Sequence, residues 1–331
     1  MKRLLRLVVL LVLLTVAVEA ARVFLADALQ AAGPATDAKT LLFAKGTRTQ
    51  DIGDALYQAG VIASRRLWPV LVKISGRQPL LAGEYEFPAH AAPATILDMM
   101  RRGQVVVHRL TIAEGLTVRQ IEALLRQAPG ADGRIDSTPS EGSLLPSTYF
   151  YSYGEGREAL LARMRKGMTD LEDEVWPQRA PDLPFTSKDE ALVLASIVER
   201  ETALSAERPH IAAIFLNRLK LHMRLQSDPT VIYAVSQGEG VLDRPLSHAD
   251  LIAANPYNTY ANEGLPPGPI CNPGRASVLA VLHPAVSGDL YFVADGSGGH
   301  VFAQTLAAHN QNVSHLRQIE QRIQPHPLQN K

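Results

Sequence analysis

The sequence is short of several things, and each shortage closes off a class of function. Cysteine occurs once, at position 271, so no disulfide can form within the chain. Compartment stays open on that count, because exported proteins often lack disulfides. Charge of one sign is missing too. Lys and Arg number 33 and so do Asp and Glu, so no basic field argues for a nucleic-acid partner. There is no HExxH and no Cys/His pairing at metal-ligand spacing, so no metal and no cofactor is expected. The ten histidines are scattered, and His300 and His309 read as surface or core residues rather than ligands. Long apolar runs are confined to the N-terminus, so at most one membrane crossing is expected.

The chain has 331 residues and is 46% hydrophobic, enough for two or more domains with a sizeable core. Lys2, Arg3 and Arg6 precede an apolar run from Leu7 to Val18, and apolar character resumes at Val23 to Ala26. Leu4 to Ala21 approaches the roughly 20 apolar residues that a spanning helix needs. Arg6 and Glu19 lie near its ends, where they can snorkel. Val18-Glu19-Ala20 would also suit a signal-peptide cleavage site. The reading adopted is an uncleaved anchor, with the positive charges inside and the rest of the chain outside the cytoplasm.

Beyond the anchor (1–30) and a small-residue linker (31–39), residues 40–128 read as a small α+β region. Thr40 to Phe43 is a strand candidate, Thr49 to Ala59 and the stretch after Ser64 have helical spacing, and Leu80 to Phe87 alternates like a strand. That βααβ order looks like a LysM-type module, a small fold that binds glycans of amino sugars. A Gly/Pro/Ser-rich loop or hinge covers 129–143, a larger mixed α+β domain 144–323, and a frayed tail 324–331. The aromatic run Tyr149 to Tyr153 suits either sugar stacking or a core strand.

The chemistry centres on Ser187 to Tyr233. Ser187 and Glu190 have capping-box spacing. Leu192 to Val198 is apolar on nearly every side, as in a buried helix. Glu199, Arg200, Glu201 and Thr202 follow directly. A carboxyl group delivered by a buried helix has its pKa raised by desolvation and becomes a candidate general acid. Glu199 and Glu201 lie about 200° apart on a helix, so they cannot act as a pair on one bond. Periodicity does not choose between them, and either could instead sit in water or pair with Arg200 or Arg208. A second helix opens at Pro209 and leaves Asn217 and Arg218 polar; a polar loop then leads through Gln226 and Asp228 into Val231-Ile232-Tyr233. A stiff Pro/Gly-rich segment from Asn255 to Gly274 carries Asn258 and Tyr260.

The strings IVERET, IAAIFLNRL, MRLQSDPTVIY, YNTY…GLPPGPI…NPG and LYFVADGSGGHVF, in that order, closely resemble the endolytic murein transglycosylases, the MltG or YceG-like family. The resemblance runs from about Leu41 to Val313 and is most specific from Glu199 to Tyr233. It implies a single inner-membrane helix, a LysM-like subdomain and a periplasmic catalytic domain. The implied activity cuts nascent peptidoglycan strands internally, leaves a 1,6-anhydro-N-acetylmuramic acid end and terminates elongation. The family's catalytic glutamate is the second Glu of E-x-E-T, here Glu201. Asn217, Gln226, Asp228, Tyr233, Asn258 and Tyr260 are the expected sugar-positioning residues. Glycan strands, the inner membrane and penicillin-binding synthases are the expected partners. One departure is visible: the family's Pro-Asp-Thr-Tyr is Pro146-Ser147-Thr148-Tyr149 here, and the large aromatic positions beside it are Ser143 and Leu145. Two other readings stay open. A hydrolytic muramidase would need a second carboxylate such as Asp228 or Glu207. A non-catalytic wall-binding scaffold would use only the anchor and the LysM-like module.

Overall fold

A computed structural model describes residues 1–323, and the expected frayed tail lies outside them. The N-terminal apolar run forms α1 (Lys2–Gln30), with its leucines and valines from Leu4 to Val23 exposed all round. At 1.5 Å per residue it is about 44 Å long. It is long and apolar enough to cross a membrane.

The chain divides into two units. The first holds residues 1–108 with 129–132 and 150–155, and the second holds the rest. In the first, β1 (Lys39–Phe43), α2 (Thr49–Gln58), α3 (Trp68–Ile74) and β2 (Gly83–Phe87) follow in strand–helix–helix–strand order, and α4 (Pro93–Arg102) closes the unit. β1 and β2 pair antiparallel, with Leu41 opposite Tyr85. Phe43, Tyr85 and Phe87 bury their rings with centroids 5.8–6.4 Å apart, over Ile52, Leu56, Trp68, Ile96, Leu97 and Met100. α4 stops at Gly103, whose φ of 64° is the left-handed cap conformation glycine tolerates best.

β3 (Val107–Thr111) and β4 (Thr148–Ser152) form a second two-stranded sheet. The aromatic run is therefore a strand, and strand alternation splits its rings. Tyr151 is buried with its hydroxyl on the Pro129 carbonyl, while Phe150 is exposed.

The second unit is mostly helical: α5 (Val118–Gln127), α6 (Arg157–Val175), α7 (Lys188–Glu201), α8 (Arg208–Lys220), α9 (Asp228–Val235), α10 (His248–Ile252), α11 (Arg275–Leu282) and α12 (Leu306–Ile323). The hairpin β5 (Tyr291–Ala294) and β6 (His300–Ala303) precedes α12, with Phe292 opposite Phe302. α7 is the axis of this unit. Its start carries the expected capping box: the Ser187 hydroxyl accepts from the Glu190 amide, and the Glu190 carboxylate accepts from the Ser187 amide. Every residue from Ala191 to Val198 is buried, with α8 and α11 packed against the helix. Buried Ser196 donates to Val193 O within the helix and accepts from the Ile270 amide at 3.0 Å, which fastens the Pro-rich loop to α7.

The fold class is α+β, as expected, with strands only in two-stranded sheets among the described residues. One element differs from the sequence reading. Asp228 to Val235 is a helix, where the sequence reads as a polar loop running through Asp228 into Val231-Ile232-Tyr233. Pro229 sits in its first turn, where a missing N–H leaves no helical bond unmade.

Gly53 on α2 faces the Trp68 ring, and an added Cβ would lie 2.6 Å from it. Gly53→Ala is expected to lower stability by about 1–3 kcal/mol through overpacking, despite alanine's better helix propensity. Thermal unfolding of the full chain in detergent micelles checks this; an unchanged or raised midpoint would contradict the packing argument.

Candidate active site

The two glutamates at the end of α7 meet opposite environments, as their rotation requires. The Glu199 side chain is 4% exposed and accepts from Arg208 Nη2 at 2.8 Å. Its other oxygen accepts from the Gly274 amide at 2.9 Å, at the N-cap of α11. A helix N-terminus favours a carboxylate there. Arg208 is itself 7% exposed and reaches Glu114 at 3.3 Å. Glu199 thus ties the end of α7 to the starts of α8 and α11, and its charge is fully partnered.

Glu201 instead lines a cavity of about 510 Å³ with Arg218, Gln226, Asp228, Tyr260, Tyr291 and His309, floored by Leu225 and Phe292. The Ser227 hydroxyl donates to its carboxyl group. Desolvation pushes the Glu201 pKa up to about 7, and the charge of Asp228 pushes the same way; the Ser227 bond, His300 and Arg218 pull against them. A carboxyl group so placed holds a proton near neutral pH and releases it readily.

Ser227 is held in place by a small buried network. Its amide donates to Thr259 Oγ1 at 3.0 Å, the Thr230 hydroxyl donates to its carbonyl, and the Thr230 and Thr259 hydroxyls lie 2.9 Å apart. The preceding Gln226 has a φ of 52°, a left-handed conformation uncommon outside glycine that often marks functional loops.

Of the residues singled out in the sequence, Gln226, Asp228 and Tyr260 meet Glu201 in this cavity, with the Tyr260 hydroxyl donating to Asp228. Asn217, Tyr233 and Asn258 do not line it. Asn217 donates to the carbonyls of Ser287 and Asp289. Buried Asn258 donates to the carbonyls of Asp250, Leu251 and Ala253, which knots its own loop. Tyr233 packs on Tyr257 and donates to Glu141, a carboxyl group whose pKa burial pushes up to about 7. Glu141 borders a second cavity of about 500 Å³ beside the N-terminal half of α7, lined also by Glu172, Asp189 and Tyr257. Glu207, the other carboxylate considered, pairs with His300 and Thr202.

Arg218 is the residue that sequence reasoning passed over. It donates to the carbonyls of Leu290, Arg224 and Leu225 at 2.6–3.3 Å, and its guanidinium lies 5.2 Å from the Tyr291 ring centroid. The available signal was a charged residue within the mostly apolar stretch Ile211 to Leu219, since a buried cation needs partners.

The model of the YceG-like family matches residues 42–315. The chain belongs to that family. It is 31% identical to an endolytic murein transglycosylase of Bacillus subtilis strain 168, over 80% of this chain and 81% of that protein. A protein of the same name from Streptococcus pneumoniae D39 is 28% identical over 82% of this chain, which spans 57% of that longer relative. The crystal structure of a YceG-like protein from Listeria monocytogenes aligns at a TM-score of 0.50 with 30% identity, covering 83% of this chain and 99% of that one.

Opposite environments predict opposite effects of the same substitution. Glu199→Gln leaves Arg208 buried without its main counter-charge and is expected to cost about 3–5 kcal/mol. For Glu201 the folded pKa, about 7, lies above the reference value of 4.5. The fold therefore favours the protonated group, and this contribution is complete below pH 4.5 and lost as pH rises through 7. Glu201→Gln removes that loss, so its stability relative to the parent should rise between pH 5 and pH 8. Urea unfolding of both variants across that range checks the pair, and parallel pH dependence of parent and Glu201→Gln would overturn the assignment of environments.

Proposed function

We propose that this chain is an endolytic lytic transglycosylase that cleaves the MurNAc–GlcNAc bond of nascent peptidoglycan, with Glu201 as its single acid–base group. Family membership and the shared name of its relatives support the substrate and the reaction. The observation that carries the mechanism is one partly desolvated carboxyl group, with a pKa of about 7, facing a polar cavity. Glu201 gives its proton to the glycosidic oxygen as the bond to the anomeric carbon breaks. The resulting carboxylate takes the proton of the muramoyl 6-hydroxyl as that oxygen bonds to the same carbon. The 1,6-anhydro ring forms, Glu201 is protonated again and no water is consumed. The attack is intramolecular, so most of the entropic cost is already met within the sugar. Arg218 stabilises the transient carboxylate, and Gln226, Asp228 and Tyr260 position the sugars. Asn217, Tyr233 and Asn258 hold the walls.

The wider setting follows the same reading. α1 anchors the chain in the inner membrane, with Lys2, Arg3 and Arg6 on the cytoplasmic side and the second unit in the periplasm. The strand–helix–helix–strand core of the first unit serves as a LysM-like glycan-binding module. Penicillin-binding synthases supply the nascent strands.

Glu201→Gln is expected to lose about 10²–10⁴-fold in cleavage while retaining glycan binding. Because the reactive form is protonated, kcat/KM should fall above about pH 7. Asp228→Asn removes a charge that disfavours the carboxylate, so it should move that limb to lower pH. The one competing reading with an observation behind it is hydrolysis, since Asp228 shares the cavity with Glu201. Mass spectrometry of products from purified glycan strands separates the two, because a reducing end is one water heavier than an anhydro end. Reducing ends would sink the lytic mechanism, and parent-rate cleavage by Glu201→Gln would sink the residue assignment.

A further inference from the structure

The cavity around Glu201 includes a polar group that enters no hydrogen bond among the described residues and that the mechanism above does not employ. His309, on the first turns of α12, lines it. Its ring stacks on Tyr291 with centroids 5.3 Å apart, on the same aromatic side chain that carries the Arg218 guanidinium. Nδ1 is buried and has no hydrogen-bond partner among the described residues. A bare lone pair is tolerated there far better than an unsatisfied N–H, so the proton of the neutral ring belongs on Nε2. A second proton would bury an unpaired donor and set a cation beside Arg218; desolvation first, and Arg218 after it, hold the His309 pKa below its ordinary value. No described residue accepts from Nε2, which is not among the buried unpartnered atoms, so it is the edge left to the cavity.

We propose that His309 contacts the substrate directly, its Nε2–H donating to an oxygen of the bound amino-sugar chain, either a ring hydroxyl or an acetamido carbonyl. This rests on the reading of the cavity as the glycan site. The role is that of a fixed neutral donor. With Nδ1 turned away from the open space, the ring offers no base there, and proton transfer stays with Glu201. Stacking alone would be met by any flat side chain, so the imidazole is explained by its donor edge.

The test uses the full chain in detergent micelles with purified, uncrosslinked glycan strands. His309→Phe keeps the ring on Tyr291 and removes the donor; His309→Gln restores an N–H at similar reach. Each is made in the parent, for cleavage kinetics, and in Glu201→Gln, for glycan binding without turnover. His309→Phe should raise KM and weaken binding by about three- to tenfold, the loss of one neutral hydrogen bond, with an unchanged thermal midpoint. His309→Gln should recover part of that loss. Parent-like KM and binding in His309→Phe would overturn the proposal. So would equal impairment of both variants together with lowered thermal midpoints, which marks a purely structural ring. If Glu201→Gln still cleaves, the catalytic reading fails separately, and the binding comparison in that background still decides the role of His309.

Discussion

The buried charge pair of Glu199 and Arg208 is the constraint on which the rest of the site depends. Burying two ions has a desolvation penalty of several kcal/mol each, and it persists only where geometry and extra hydrogen bonds offset it. Here the Gly274 amide supplies one such bond and Glu114 a further acceptor for the guanidinium. The consequence is mechanical. Locking Glu199 fixes the rotation of the last turn of α7, so a side chain two residues on must emerge about 200° away. Thr202 then leaves the helix in extended conformation, and its hydroxyl accepts from the Leu204 amide and donates to Glu207, which also holds His300. Glu201 is pinned from both sides, and its direction is set by residues that never face the cavity.

Two carboxyl groups from one helical turn therefore meet different surroundings. The difference lies in what each is given. Glu199 receives the Arg208 guanidinium and the Gly274 amide. Glu201 receives one hydroxyl, apolar walls from Leu225 and Phe292, and a neighbouring negative charge at Asp228. Burial with little compensation is what lifts the Glu201 pKa. Ser227 fits this logic. A single neutral donor steadies the carboxyl without stripping it of its proton, where a second cation in contact would have done so.

How much of this could be read from residues alone depends on range. The capping box of Ser187 and Glu190 and the apolar run behind it are local, and α7 was legible to its first and last turns. The strand–helix–helix–strand order of the first unit was legible for the same reason. Asp228 to Val235 was not, because Ser-Asp-Pro serves equally as a turn and as a helix start, and only tertiary packing of Thr230 and Val231 decides. The environments of Glu199 and Glu201 are set by Arg208, Gly274, Ser227 and Asp228, up to 75 residues away. No periodicity carries that. Residue type alone makes Asn258 and Tyr233 candidates for positioning a sugar; in the fold Asn258 gives its amide to loop carbonyls and Tyr233 donates to Glu141.

Adjacent Asn217 and Arg218 show how the distal wall of the cavity is aimed. Asn217 grips the carbonyls of Ser287 and Asp289, and Arg218 grips that of Leu290. Together they fasten the start of the β5–β6 hairpin to α8, which packs on α7. The hairpin and α12 then contribute Tyr291, Phe292, Val293, Leu306 and His309 to the space in front of Glu201. The cavity is thus closed by chain some 90 residues beyond its acid. Side chains that look like solvated helix polarity thus hold that wall in front of Glu201. Because Asn217 grips the hairpin without lining the cavity, Asn217→Ala should change which glycans fit before it changes the chemistry performed on them.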